Sequence, residues 1–314
     1  MPLRKNSVGS YFAESKTGSS KHLGVVSTLD KALPIIHWPK RESFSNKKTA
    51  FTVLMVATLI LLTVVVSGIA VTDLAKATDF SEKSLSPSLA HPFGTDWMGR
   101  DMFLRTVAGL SLSILIGLAA ACASAVIALL LGAAAALGGK RVDAVITWLI
   151  DLMLGIPHIV LLVLISYALG KGFWGVTIGV AVTHWPTLAR VIRAEILQCK
   201  EAPYVEVARK LGKSPTNIAI KHMVPFVFPQ FLVGLILLFP HAILHEAALT
   251  FLGFGLSPEQ PAIGIILSES MSYLSAGDWW LALFPGIALV ATVMLFDLAG
   301  SSLRKLIDPH TSQE

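Results

Sequence analysis

Charge is scarce in this sequence. Of 314 residues only 14% are Asp, Glu, Lys or Arg, while 54% are hydrophobic and mean hydropathy is +0.69. A soluble domain carries about a quarter charged residues, so the composition points to a membrane protein. Cysteine is scarce too. Cys122 stands in an apolar run and Cys199 beside Lys200; such a pair builds no disulfide framework and reads as two free thiols. No stretch fits G-x-x-x-x-G-K-[ST], because "LGKG" at 169–172 has Ile165 where the upstream glycine would stand. Without that phosphate cradle, an ATP-driven step needs another chain. There is no internal repeat, and charges inside the apolar runs are few. Both absences count against a secondary transporter, the rival reading, which needs inverted repeats and functional charges in its spans.

What is present is apolar length. A bilayer core takes about 20 apolar residues per helix. Six stretches read as spans. The first is 51–71, free of charge. The second lies between Arg105 and Lys140 and is long enough to tilt or project. The third, 144–169, contains Asp151 and Pro157. The fourth, 173–188, is short. The fifth lies between Lys221 and Glu246, and the sixth runs over 279–296, just before Asp297. The expectation is an all-α integral membrane protein with six transmembrane helices. It divides into a partly disordered tail (1–49), a first helix (50–72), an external segment (73–102), a five-helix core (103–302) with a polar loop at 201–225, and a tail (303–314). The first span is not a cleavable signal, since its apolar core begins only at residue 51. "ALPIIHWP" (32–39) reads as a piece lying on the membrane surface. "AALTFLGFGLSP" (247–258) is too short to span and reads as a re-entrant segment or as a loop helix packed on the outer face; both stay open.

Twenty of the 25 Lys and Arg fall on one side when six spans alternate, and none lies between 257 and 278. The bias of basic residues toward the cytoplasm then places both termini and the polar loop there.

The polar loop, "EAPYVEVARKLGKSPTNIAIKHMVP", is built from helix signals. Pro203 suits a first turn. Val205, Ala208 and Leu211 recur at three-residue spacing as one apolar stripe, with Glu206, Arg209, Lys210 and Lys213 around it. Gly212 suits a left-handed cap, and Ser214-Pro215 a fresh N-cap followed by proline. Pro225 and Pro229 bend the entry to the next span. Such a short amphipathic helix docks in a groove on a partner or rests on lipid.

"YVEVARKLG" followed by "KHMVP" resembles the cytoplasmic loop shared by permease subunits of bacterial binding-protein-dependent ABC importers. Glu206, Ala208 and Gly212 match the family pattern, while Val207 and "HMVP" depart mildly from it. "HPFGTDWMGRDMFLR" (91–105), "LARVIRAEIL" (188–197), "EAALTFLGFGLSP" (246–258), "WWLALFPG" (279–286) and "LRKLIDPH" (303–310) resemble the second permease of the dipeptide, oligopeptide and nickel importers, in order and over most of the chain. Asp297, Ser301 and "PAIGIIL" (261–267) depart from the usual residues.

The resemblance implies the six-span permease fold of type I importers and a multi-pass protein of the bacterial inner membrane. It implies a non-catalytic subunit that pairs with a homologous permease over two ATPases. Those ATPases bind ATP and magnesium, and this chain carries no cofactor. An extracytoplasmic binding protein delivers short peptides or, alternatively, nickel or a metal chelate. Glu206, Ala208, Arg209, Leu211 and Gly212 take the coupling role. His241 and His245, four apart on one helical face, have a spacing that can hold a metal. With Glu246 they read H-x-x-x-H-E, not the H-E-x-x-H of a zinc protease. Interfacial histidines bonded to backbone or water are the commoner case. The nickel branch still gives His184, His241 and His245 a reading as a path for a metal or chelate. Asp151, an ionisable group within a span, faces the bundle interior or partner permease, or reaches solvent near the cytoplasmic end.

Overall fold

The computed structural model describes residues 47–307, and all their regular elements are helical. The chain runs α1 (Lys47–Ala70), α2 (Met102–Leu137), α3 (Gly139–Gly155), α4 (His158–Ala168), α5 (Gly172–Lys200), α6 (Pro203–Lys210), α7 (Pro215–Ile218), α8 (Val224–Phe251), α9 (Ile263–Met271) and α10 (Trp280–Ile307). Residues 1–46, with the piece at 32–39, and the end of "LRKLIDPH" from 308 onward lie outside the described residues.

The long helix α2 is the centre of the bundle. Asp101 caps its start, its Oδ1 accepting from Leu104 N at 2.9 Å. Its 36 residues pack along α5 and also touch α1, α3, α8, α9 and α10. Small residues make this possible, because close backbone approach is how helices gain contact inside a membrane. Ala120, Ala121, Ala125 and Ala128 are all buried. At Gly132 a Cβ would stand 2.7 Å from the Ala189 carbonyl of α5, so only glycine fits.

Four helical stretches are long and apolar enough to cross a membrane: α1, α2, α7 with α8, and α10. α3 and α4 make a fifth if counted as one span, bent by 97° at Ile156 and Pro157. α5 is less apolar than these, yet its 29 residues reach about 44 Å. The short fourth span expected at 173–188 is thus the first part of a longer helix. Arg190, Arg193 and Glu195 have good helix propensity, and the helix continues through them to Lys200.

Alternation of these helices gives the bundle two ends. The elbow end carries α6 and α7; the loop end carries the α1–α2 connection and α9. At the loop end α8 runs to Phe251, and the chain then turns back against the α4–α5 corner. Ser166 Oγ donates to Phe254 O at 2.8 Å, Gly172 N to Gly255 O at 2.9 Å, and Lys171 Nζ to Gly253 O at 3.1 Å. Residues 247–258 are therefore a helix end plus a packed loop.

Asp96 ties the α1–α2 connection to the bundle. Its Oδ1 accepts from Met98 N and Arg100 N, each at 2.9 Å, and its Oδ2 from Arg100 Nε and Arg105 Nη1, each at 2.6 Å. Arg105 then reaches Glu269 of α9 at 2.9 Å. Buried charge is tolerable here because each group has several partners.

Candidate functional site

The elbow at 203–225 assembles as its local signals require. Pro203 opens α6, and Val205 and Ala208 bury one face against the bundle. Gly212 has φ +77°, a left-handed conformation open to glycine at little cost. Gly212 N donates to Arg209 O at 3.0 Å and Lys213 N to Ala208 O at 3.1 Å. This pair of bonds is the Schellman closure of a helix end. Ser214 Oγ accepts from Asn217 N at 3.3 Å and starts α7. A widened π turn at Ala219–Met223 follows, with Val224 N bonded to Ala219 O. It accommodates Pro225, which has no N–H to offer an α-helical turn.

One expectation about this loop needs correction. Leu211 does not extend the stripe of Val205 and Ala208. The helix stops at Lys210, and Leu211, its C-cap, is turned outward with 74% of its surface exposed. Tyr204 and Val207 are exposed with it. The inner stripe holds α6 to its own bundle, and Val207 and Leu211 are left facing away, while the half-exposed Tyr204 reaches back to the bundle. Glu206 and Arg209 are exposed, and Glu206 pairs with Lys210 at 2.8 Å.

The elbow is fastened to the spans around it. Buried Cys199, at the end of α5, lies 3.4 Å from the Tyr204 hydroxyl, and the Tyr204 ring lies 5.8 Å from that of His222. Nearby, Arg193 of α5 grips Asp143 of α3 through two bonds of 2.5 and 2.7 Å. Asp151 is exposed and paired with Arg190 at 2.8 Å, on the surface of this chain and not in its core. Asp297 is exposed as well.

The histidines are placed differently from the sequence expectation. His184 of α5 and His245 of α8 meet, their Nε2 and Nδ1 being 3.3 Å apart. The third member is His158, at the start of α4, with ring centroids 4.6 Å from His184 and 4.5 Å from His245. His241 is exposed and contributes only its carbonyl, which accepts from His245 Nδ1 at 2.7 Å. Sequence reading missed His158. Its only signal was its position directly after Pro157, where the chain bends.

Residues 128–313 match the family described as the inner membrane component of binding-protein-dependent transport systems. A peptide transport system permease protein of Brucella abortus is 37% identical over 238 residues, covering 76% of this chain and 80% of that one. A peptide permease protein of Brucella suis is 31% identical over 93% of this chain and 98% of its own. A dipeptide transport system permease protein of Bacillus subtilis is 31% identical over 73% and 72%. Among solved structures, an inward-facing form of the MetNI methionine ABC transporter is similar, with a TM-score of 0.54 and 19% identity over 66% of this chain and 98% of the other. That likeness concerns the fold. Together with the extent of the family match, these relatives settle the membership: this chain belongs to the inner membrane components of binding-protein-dependent transport systems.

Proposed function

We propose that this protein is a permease subunit of an ATP-driven importer of short peptides. It pairs with a homologous permease, takes substrate from an extracytoplasmic binding protein, and couples to two ATPases through α6. The peptide relatives support the substrate class. The observation that carries the coupling role is the elbow: a short helix fixed to its bundle by Val205 and Ala208, presenting Val207 and Leu211 outward. An amphipathic helix so presented suits a groove on a partner protein. The chain itself is non-catalytic in this reading, with ATP and magnesium held by the ATPases. Six spans, both termini in the cytoplasm and an elbow beneath the bacterial inner membrane complete it.

The test is reconstitution of the whole transporter in vesicles, reading peptide uptake and ATP hydrolysis stimulated by the loaded binding protein. Leu211→Asp and Val207→Asp are expected to lower both at least about tenfold, because a charge replaces apolar contact. Since both side chains are exposed, the isolated subunit keeps its stability. Gly212→Val strains the left-handed turn by roughly 1–2 kcal/mol while its Cβ meets no neighbour within 4 Å, so a loss of uptake there reports misplacement of α6. Wild-type uptake in all three would remove the coupling role.

A further inference from the structure

We propose that His158, His184 and His245 form a binding site for a divalent transition metal ion of the zinc, cobalt, nickel or copper type. Peptide transport does not require such a site, and the proposal does not rest on that reading. Three imidazoles from three different helices converge, each offering a ring nitrogen, with all three nitrogens within 4.8 Å of one another. Imidazole is a ligand for these metals, and hard oxygen-seeking ions such as magnesium are poorly served by it.

The hydrogen bonds orient the rings as metal ligands are usually oriented. His184 Nδ1 donates to Val180 O at 2.9 Å, and His245 Nδ1 to His241 O at 2.7 Å. Each bond makes Nδ1 the N–H and leaves the lone pair on Nε2; that of His184 faces the His245 ring, 3.3 Å from its Nδ1. Such outer bonds to carbonyls fix the tautomer of ligating histidines. His158 Nε2 is shielded from solvent and has no hydrogen-bond partner among the described residues. A buried nitrogen without a partner is costly, and a metal ion satisfies it together with the other two.

The spacing also fits. Metal–nitrogen bonds of about 2.0–2.1 Å at tetrahedral angles put ligand nitrogens about 3.4 Å apart. Closing from 4.8 Å asks for at most about 1.4 Å of movement, within reach of small ring rotations. Three protein ligands leave a fourth position open.

The site stands at the break between α3 and α4. The 11 residues of α4 rise about 16 Å, roughly half of a bilayer core. Non-helical backbone at membrane depth is tolerated only inside protein or beside a water-filled cavity. Pro157 is exposed on this chain, so the break calls for such a cavity or a partner's surface over it. A charged ion is therefore not left against lipid.

The full-length chain, purified in detergent without a polyhistidine tag, is titrated with Co2+ alone, whose visible absorption reports four-coordinate geometry. One ion per chain, displaced by Zn2+, is expected. His158→Ala, His184→Ala and His245→Ala each weaken binding at least tenfold, whereas His241→Ala leaves it unchanged. His158→Cys restores binding through a thiolate, which separates ligation from packing; circular dichroism and gel filtration confirm that each variant is folded. Absence of stoichiometric Co2+ binding by the folded wild type, or equal binding by His158→Ala, overturns the proposal.

Discussion

His91 shows how a single residue can carry a measurable property. Its Nδ1 lies 2.7 Å from Asp101 and its Nε2 3.2 Å from Glu82. Asp101 is also the cap of α2, so this histidine links the loop at 73–101 to the central helix. Protonated, it donates from both ring nitrogens; neutral, from only one. The hydrogen bond to Asp101 raises its pKa above the ordinary 6.5; burial opposes this, and the charges of Asp101 and Glu82 add to the rise. A group whose pKa is higher in the folded state contributes fully below its unfolded value, and that contribution is lost as pH rises through the raised one. The loop is therefore held more firmly near about pH 6 than near about pH 9. Hydrogen exchange, corrected for its intrinsic pH dependence, is expected to show stronger protection at 82–101 on the acidic side. His91→Asn is expected to flatten the difference. Equal protection in the wild type at both pH values would take His91 out of this account.

At the scale of elements, the structure depends on ties between segments far apart in sequence. Arg105 is 2% exposed and Asp96 3%, and they bond at the base of the loop. Removing the cation leaves a buried carboxylate short of a partner, which costs about 3–5 kcal/mol for such a pair. Arg105→Ala should lower the thermal unfolding temperature of the purified protein well beyond Glu269→Ala, whose carboxylate is partly solvated. A milder effect for Arg105→Ala than for Glu269→Ala would mean that Arg100 alone holds Asp96. The elements differ in how legible they were. α6 and its elbow could be read from sequence because Pro203, Gly212, Ser214 and Pro215 act within a few residues of themselves. Leu211 was misread because its three-residue spacing continues a stripe past the point where the helix stops. The Asp96–Arg105–Glu269 tie and the meeting of His158 with His184 and His245 were not legible. Each depends on where distant helices pack, and the histidine site depends on a bend whose angle no local pattern specifies.

For the whole molecule, the question is which way the bundle faces, and charge gives the argument. Among the described residues the elbow end carries Lys47, Lys48, Lys140, Arg141, Arg190, Arg193, Lys200, Arg209, Lys210, Lys213, Lys221, Arg304 and Lys305, while the loop end carries Lys76, Lys83, Arg100, Arg105 and Lys171. Because translocating Lys and Arg is disfavoured, the elbow end should face the cytoplasm, which is also where an ATPase could meet α6. The test begins from a chain without cysteine. Cys122 is exposed on α2 within a span and Cys199 is buried under the elbow, so both are replaced by Ala. Single cysteines are then placed at Lys213, in the elbow, and at Gly277, in the connection before α10. Intact cells are treated with a membrane-impermeant thiol reagent. Gly277→Cys should react at once, and Lys213→Cys only after the cells are opened. The crossing made by α8 is tested by the same pair. An odd number of crossings between 213 and 277 puts them on opposite sides, and among the described residues α8 is the single helix between those positions long enough to cross. Labelling of both from outside would mean that α8 turns back within the membrane. Labelling of Lys213→Cys alone would invert the bundle and place α6 beyond the reach of any ATPase.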